Sequence, residues 1–227
     1  MSATLFERLN FDSPLAPAHL LRAVDHHPFN ERTVIVNLAT TDAFIGQAQL
    51  APLPPLSSTI LVNGTVTGAL LIAVALRDIK DQEQTARDLG WIDFYGPGNS
   101  VLLKSPQETI GVIDLDRQAV LHQISIDPAP RSFTVKANLW FSPAGTDCGI
   151  HIEHPFIEVH TQISGYGRMQ KFTANDRASL YEDQQLSPGT TNPIPFCIED
   201  AGSFIYPWHQ YRADTDCIWL ALEFHEN

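Results

Sequence analysis

An all-β fold, a sandwich or barrel of short strands, is what this sequence predicts, and three observations predict it. Short runs rich in β-branched and aromatic residues recur: Thr33–Leu38, Thr59–Val62, Ala69–Leu76, Trp91–Tyr95, Ser100–Leu103, Ile110–Leu115 and Val120–Ile126. Pro, Gly, Asn and Asp break the chain between them at close spacing, the turn signal of an all-β domain. Helix-forming stretches are scarce. One is Asp78–Leu89, DIKDQEQTARDL, which closes at Gly90. Another is Ala16–Val24, which would open after Pro14 or Pro17.

The remaining elements follow in order. The stretch 127–131, DPAPR, carries two prolines and no periodicity, and marks a boundary between a β-rich region 1–131 and a unit 132–227. Ser132–Phe141 alternates as a strand, SPAGTDCG is a turn, and residues 150–163 read as one or two strands. Ser164–Gly167 turns the chain back into Arg168–Phe172, and a loop ends in Leu186–Gly189. Gly202–Pro207 and Cys217–Phe224 supply closing strands. The first half is either a second, degenerate barrel or an extension that caps the other.

Composition bounds the function. The 227 residues suffice for one large domain or two small ones, at ~100–200 residues per domain. With 44% hydrophobic and 18% charged residues the chain can bury a core, which excludes a disordered protein. Lys and Arg total 14 against 26 Asp and Glu, a formal charge of −12 that argues against nucleic acid and anionic membrane as partners. Cys148, Cys197 and Cys217 form no CxxC pair and read as free thiols of a reducing compartment, packing as small hydrophobes. The most apolar run, Thr59–Leu76, is interrupted by Asn63, Gly64, Thr65, Thr67 and Gly68, short of the ~20 apolar residues of a membrane helix. The opening residues carry charges where a signal peptide is apolar, so the expected location is cytoplasmic.

Chemistry concentrates in GIHIEHPFIEVH, where His151, His154 and His160 lie within ten residues beside Glu153 and Glu158. On a strand, residues two apart share a face, which aligns His151 with Glu153 and also Glu158, His160 and Gln162. Pro155 denies a ladder hydrogen bond, so a bulge or bend at 154–156 is expected to bring both halves of the cluster to one interior. Imidazoles with a carboxylate suit a divalent first-row metal. A carboxylate such as Glu158, flanked by Ile157 and Val159 in a half-buried strand, needs a cation or hydrogen-bond donors. His26–His27 fits a loop better than a shared ligand face, and His19, His122 and His225 are isolated.

The spacing Gly145, five residues, His151, one residue, Glu153, four residues, Glu158, six residues, Gly165 resembles the first cupin signature. Its second His is replaced here by Glu153, with His154 alongside. A second signature is matched more loosely by GSFIYPWHQY, residues 202–211, with His209 in the ligand's place and Ala213 where an Asn is usual. The resemblance covers roughly the last 95 residues. It implies a cupin-like antiparallel β-barrel or jelly roll over 132–227. It also implies metal ligands His151, Glu158 and His209, completed by Glu153 or His154. The metal would be iron first, with manganese, nickel or zinc also fitting nitrogen and oxygen donors. The small-molecule substrate would sit inside the barrel, and oxygenation is the chemistry that such cupin sites most often imply. Glu158 and His160 would transfer protons, and Gln162, Trp208 and Tyr211 would line the pocket. Arg168 would hold a substrate carboxylate. Open strand edges in such barrels pair into homodimers. Because Glu153 replaces a ligand, two further readings stand beside this one. One is an isomerase, epimerase or cyclase working through Glu and His acid–base groups, with or without metal; the other is a barrel that binds a small molecule without catalysis.

Overall fold

The computed structural model describes residues 5–47, 51–121, 123, 129–192 and 197–227. In chain order they form β1 (Leu5–Arg8), β2 (Ala18–Phe29), β3 (Thr33–Asn37), β4 (Ala43–Ile45), β5 (Ala51–Leu53), β6 (Ser58–Leu61), β7 (Gly64–Ala75) and helix α1 (Gln82–Asp88). Then come β8 (Ile92–Asp93), β9 (Leu103–Lys104), β10 (Glu108–Leu115), helix α2 (Arg117–Leu121) and β11 (Arg131–Ser142). The last strands are β12 (Ile157–Ser164), β13 (Gly167–Phe172), β14 (Leu180–Leu186), β15 (Ile198–Asp200), β16 (Ser203–Ile205), β17 (Trp208–Ala213) and β18 (Cys217–Glu226).

Pairing among these strands is antiparallel throughout. The first sheet has the order β1-β2-β7-β3-β6, with β4 joining β7 to β5. The second runs β12-β18-β11-β9-β8, with β10 also paired to β11. The third is β14-β13-β17, and β15–β16 is a hairpin by itself. Isolated bridges at Asp147↔Arg212 and His151↔His209 tie the β11–β12 connection to β17, and Thr161↔Thr191 ties β12 to the segment after β14, so that the second and third sheets face one another in a jelly-roll arrangement. Strands β8–β10 precede residue 131, yet β9 and β10 pair with β11 and β8 pairs with β9, so the sheet that carries the site is not confined to the segment after that residue.

Period-two alternation assigns each face. Phe133, Val135, Ala137, Leu139 and Phe141 of β11, with Leu220, Leu222 and Phe224 of β18, join one apolar cluster with Leu20, Val34, Val36, Ile72 and Val74 of the first sheet. The first sheet and the outer face of the second thus share a core, each such side chain contributing roughly 1.5–3 kcal/mol on burial. The first sheet's opposite face gathers Leu21, Val24, Ile35, Val66, Leu71 and Ala73. On the second sheet the opposite face turns toward the third, where Cys217 and Trp219 meet Met169, Leu186 and Tyr211. Ile157 and Val159 of β12 belong to the shared core, so Glu158 and His160 project inward.

Several local expectations are corrected. Residues 16–24 are not a helix: Ala18–Val24 opens strand β2, buried on both faces, with Leu20 and Leu21 entering different clusters. A strand covered on both sides reads as a continuous apolar run, which periodicity cannot separate from a buried helix. Residues 117–121 form helix α2 where a strand was expected from Val120, and the remainder of that expectation, residues 122 and 124–126, lies outside the described residues. Residues 127–128 of the boundary stretch, and His122, also lie outside them. His26 and His27 sit within β2 rather than on a loop, at a register shift where Ala23 and His26 take positive φ of 51° and 49°. Within 150–163 the strand proper begins at Ile157, and His151 contributes a single bridge. Helix α1 does form inside Asp78–Leu89, and no helix among the described residues is long and apolar enough to cross a membrane.

Candidate metal centre

Backbone pairing sets the first two histidines side by side. His151 N donates to His209 O and His209 N to His151 O, both at 2.9 Å, the reciprocal exchange of a hydrogen-bonded antiparallel pair. Their ring centroids are 4.3 Å apart as a result. His154 comes from the turn that Pro155 imposes before β12, and its ring stacks against His209 at 5.0 Å. His154 Nε2 then lies 2.9 Å from His151 Nε2 and 3.0 Å from His209 Nε2.

The outer nitrogens decide what this convergence means. His151 Nδ1 is 3.0 Å from Gly149 O, and His209 Nδ1 is 2.8 Å from Pro207 O. A carbonyl accepts only, so in the neutral rings Nδ1 carries the proton and Nε2 the lone pair. Two lone pairs therefore face His154 Nε2, whose own ring offers at most one proton there. His154 Nδ1 is 3.6 Å from Glu158 Oε2, an ion-pair rather than a hydrogen-bond distance, and with the His154 proton on that nitrogen three lone pairs converge on one point. A cation resolves this. Three nitrogens at ~2.0–2.1 Å from a first-row ion lie roughly 2.9–3.3 Å from one another, and the three ligand atoms here all fall within 4.8 Å. The donor set fits a divalent metal, with carbonyls and a carboxylate orienting the rings from behind.

Burial reinforces the neutral state. His209 is 2% exposed. Burial, with His151 and His154 beside it, holds it at about 3 against the Pro207 carbonyl and Glu158. Burial likewise lowers His154. Glu158 behaves in the opposite sense: burial would raise its carboxyl, but the charges and hydrogen bond of His160, with His154 and His209, hold it at about 2. Its Oε1 lies 3.0 Å from His160 Nε2. Tyr206 fixes the start of this strand, its hydroxyl accepting from Glu158 N and donating to Phe156 O, each at 2.8 Å.

These groups border a cavity of about 500 Å³. Trp140, Trp219, Phe94, Tyr95 and Met169 supply apolar wall, and Tyr211 stacks on Trp219 at 4.0 Å. The remaining sequence candidates fall in different places. Glu153 lines the cavity but stands outside the three-histidine group, because residues 152–156 do not continue the strand on which its alternation with His151 relied. Glu158 stands behind His154 instead of within that group. Gln162 is fully buried and absent from the cavity wall, accepting from the Tyr211 hydroxyl at 2.6 Å and donating to Ser164 O at 2.7 Å. Trp208 alternates away from His209 along β17 and does not reach the cavity. Arg168 does not reach it either: Nε donates to Asp214 at 2.7 Å and Nη1 to Asp183 at 2.8 Å, because Met169 takes the inward position on β13. Sequence reasoning missed Lys104 and Glu223, which do line the cavity. Their signal was a lone charge inside an apolar run, VLLKS and WLALEF.

No protein-family model matches the sequence, and no curated protein matches it. Solved structures similar to it include ectoine synthase from P. lautus, with TM-score 0.34 and 14% identity over 66% of this chain and 80% of that one. Another is salicylate 1,2-dioxygenase from Pseudoaminobacter salicylatoxidans, with TM-score 0.33 and 10% identity over 93% and 69%. A third is a cupin 2 conserved barrel domain protein from Leptotrichia buccalis, with TM-score 0.32 and 9% identity over 98% and 89%. Similarity at this level says nothing of activity, and the jelly-roll arrangement described above stands on the chain's own strand pairing.

Proposed function

We propose that this chain is a metal-dependent enzyme acting on a small organic molecule in the cavity, with His151, His154 and His209 as ligands. The observation that carries the reading is the approach of three Nε2 atoms at 2.9 and 3.0 Å, two of them left proton-free by the carbonyls on Nδ1. A cation there supplies Lewis-acid polarisation and open coordination positions. The apolar wall excludes water from the bound molecule. Glu158 and His160, paired at 3.0 Å and facing the cavity, hold and move a proton beside the ligand set. Iron and oxygenation are the cofactor and reaction class we assign first, since imidazole suits iron and the ligand set is open on the cavity side. The Glu158–His160 pair favours a second reading, isomerisation or cyclisation through the same acid–base couple.

Elemental analysis of purified protein tests the centre. About one first-row metal per chain is expected, and His151→Ala and His209→Ala are each expected to remove it. Unchanged metal content in both variants overturns the proposal. Oxygen uptake by the holoprotein with candidate substrates then separates oxygenation from isomerisation.

A further inference from the structure

The cavity has a second charged pole. Lys104 on β9 is the single Lys or Arg among the described residues that line it, in a chain carrying far more acids than bases. Its backbone pairs with Trp140 of β11, and its ammonium sits over the Trp140 ring at 5.1 Å. The nearest carboxylate oxygen, Glu223 Oε1, is 3.6 Å away, beyond hydrogen-bonding distance for N–H···O. The carboxylates nearby are better provided. Glu223 accepts from Asn138 Nδ2 at 3.1 Å and has His225 Nε2 at 3.0 Å, while Glu158 has His160 at 3.0 Å. Besides the buried His160 Nδ1, which has no hydrogen-bond partner, and the Glu153 carboxylate, the hydrogen-bonding capacity that remains among the described cavity groups is donor capacity on the Lys104 ammonium. An ammonium has three donors, and a ring face with one ion-paired carboxylate at 3.6 Å leaves hydrogen-bonding capacity for a ligand.

We infer that Lys104 is the substrate's anchoring residue and that the molecule bound in this cavity is a small organic anion with an apolar or aromatic body, its carboxylate held by the Lys104 ammonium. The body packs against Trp140, Trp219 and Phe94. The role expected of Arg168 passes to a residue on a different strand, because the Arg168 guanidinium is hydrogen-bonded to Asp183 and Asp214 away from the cavity, whereas Lys104 lines the cavity and makes only a looser ion pair with Glu223. The inference rests on the cavity being the reaction site proposed above, but it does not require that a metal be bound.

Calorimetric titration with benzoate and with its neutral isostere benzamide tests it, using metal-loaded protein and, separately, metal-free His209→Ala protein. Unmodified protein is expected to prefer benzoate at least tenfold. Lys104→Met should abolish that preference with benzamide binding and metal content unchanged, and Lys104→Arg should restore part of it. Equal binding of the two probes, or none, overturns the inference, as does a Lys104→Met variant that keeps the preference in loaded protein, since the metal would then hold the carboxylate. The same preference in His209→Ala protein supports Lys104 whether or not the metal proposal survives, so the two failures are distinguishable.

Discussion

The first sheet and the second are built alike, each with long antiparallel strands interrupted by a register shift and one face given to a common core, yet their other faces differ in chemistry. Behind the first sheet Leu21, Ile35, Val66 and Leu71 are apolar and sealed, and only toward one end do His19, Thr33 and Ala73 border a smaller pocket without the convergent ligand atoms of the other site. Behind the second lie Glu158, His160 and Glu223, each with a hydrogen-bonding partner and each bordering a cavity. Strand topology gives both faces the same opportunity; what separates a packed interior from a reactive one is a few polar residues at alternate positions and the partners that offset their burial. The contrast predicts that substitutions behind the second sheet change chemistry at little cost in stability, and that the reverse holds behind the first.

The largest effect expected is loss of the metal itself. His154→Ala removes the ring that both other imidazoles face and should reduce bound metal at least tenfold, whereas Glu153→Ala should leave metal content as it was. Elemental analysis of both, with circular dichroism to show that each is folded, makes the comparison. Retention in His154→Ala together with loss in Glu153→Ala would return the ligand role to the carboxylate. Leu71→Ala, behind the first sheet, should cost about 2–5 kcal/mol in urea unfolding while the folded protein keeps its metal. A Leu71→Ala variant that is stable but metal-poor would show that the two faces are coupled, against the comparison drawn here.

How much of this contrast the sequence carried depends on periodicity. Where strands are long, the reading succeeds: alternation alone put Glu158 and His160 on one face of β12. The signature spacing also drew attention to His151 and His209, which the bridge between them brings together. Where the backbone is irregular, alternation has nothing to act on. His154 rather than Glu153 joins the group because residues 152–156 are irregular, with a bend at 155–156, and no two-residue period reaches across them. Lys104 escaped notice because β9 is two residues long, too short a window to show which way a side chain faces. Arg168 misled because a cation just after a turn is conspicuous in an acidic chain, and its acidic partners arrive from elsewhere, Asp183 from β14 and Asp214 from the bend after β17.

Acid should act on both sides of the molecule, since burial lowers His19 and His27 of the first sheet as well, but most strongly at the three-histidine group. In metal-stripped protein, His209 resists protonation down to about 3, whereas in the unfolded chain it titrates near 6.5. Below pH 6.5 the unfolded state therefore binds a proton that the folded state refuses, and stability falls as pH falls, by about 1.4 kcal/mol per pH unit for each such histidine. The lowered His154 adds to the same slope. Glu158, held at about 2 against an ordinary 4.5, contributes stability present above that value and lost as pH drops through it toward 2. Urea midpoints measured from pH 8 to pH 4 should decline, and His209→Gln should flatten the decline between pH 6.5 and 4.5. A His209→Gln variant with an unaltered slope would place the acid sensitivity elsewhere.

Arg168 offers the smallest effect and a sharp control. Its guanidinium links β13 to Asp183 of β14 and to Asp214 beyond β17, with about a third of the side chain open to solvent. Exposed ion pairs of this kind are worth about 0–1 kcal/mol, since screening and side-chain entropy offset most of the attraction. Arg168→Leu should therefore shift unfolding by no more than about 1 kcal/mol and leave metal content and the benzoate preference untouched, while Lys104→Met abolishes that preference with little change in stability. The pair of variants removes one positive charge each from the same unit, so net charge cannot explain a difference between them. If Arg168→Leu weakens benzoate as strongly as Lys104→Met does, the anion responds to the overall field of the protein rather than to one ammonium inside the cavity, and the inner face loses its claim to specificity.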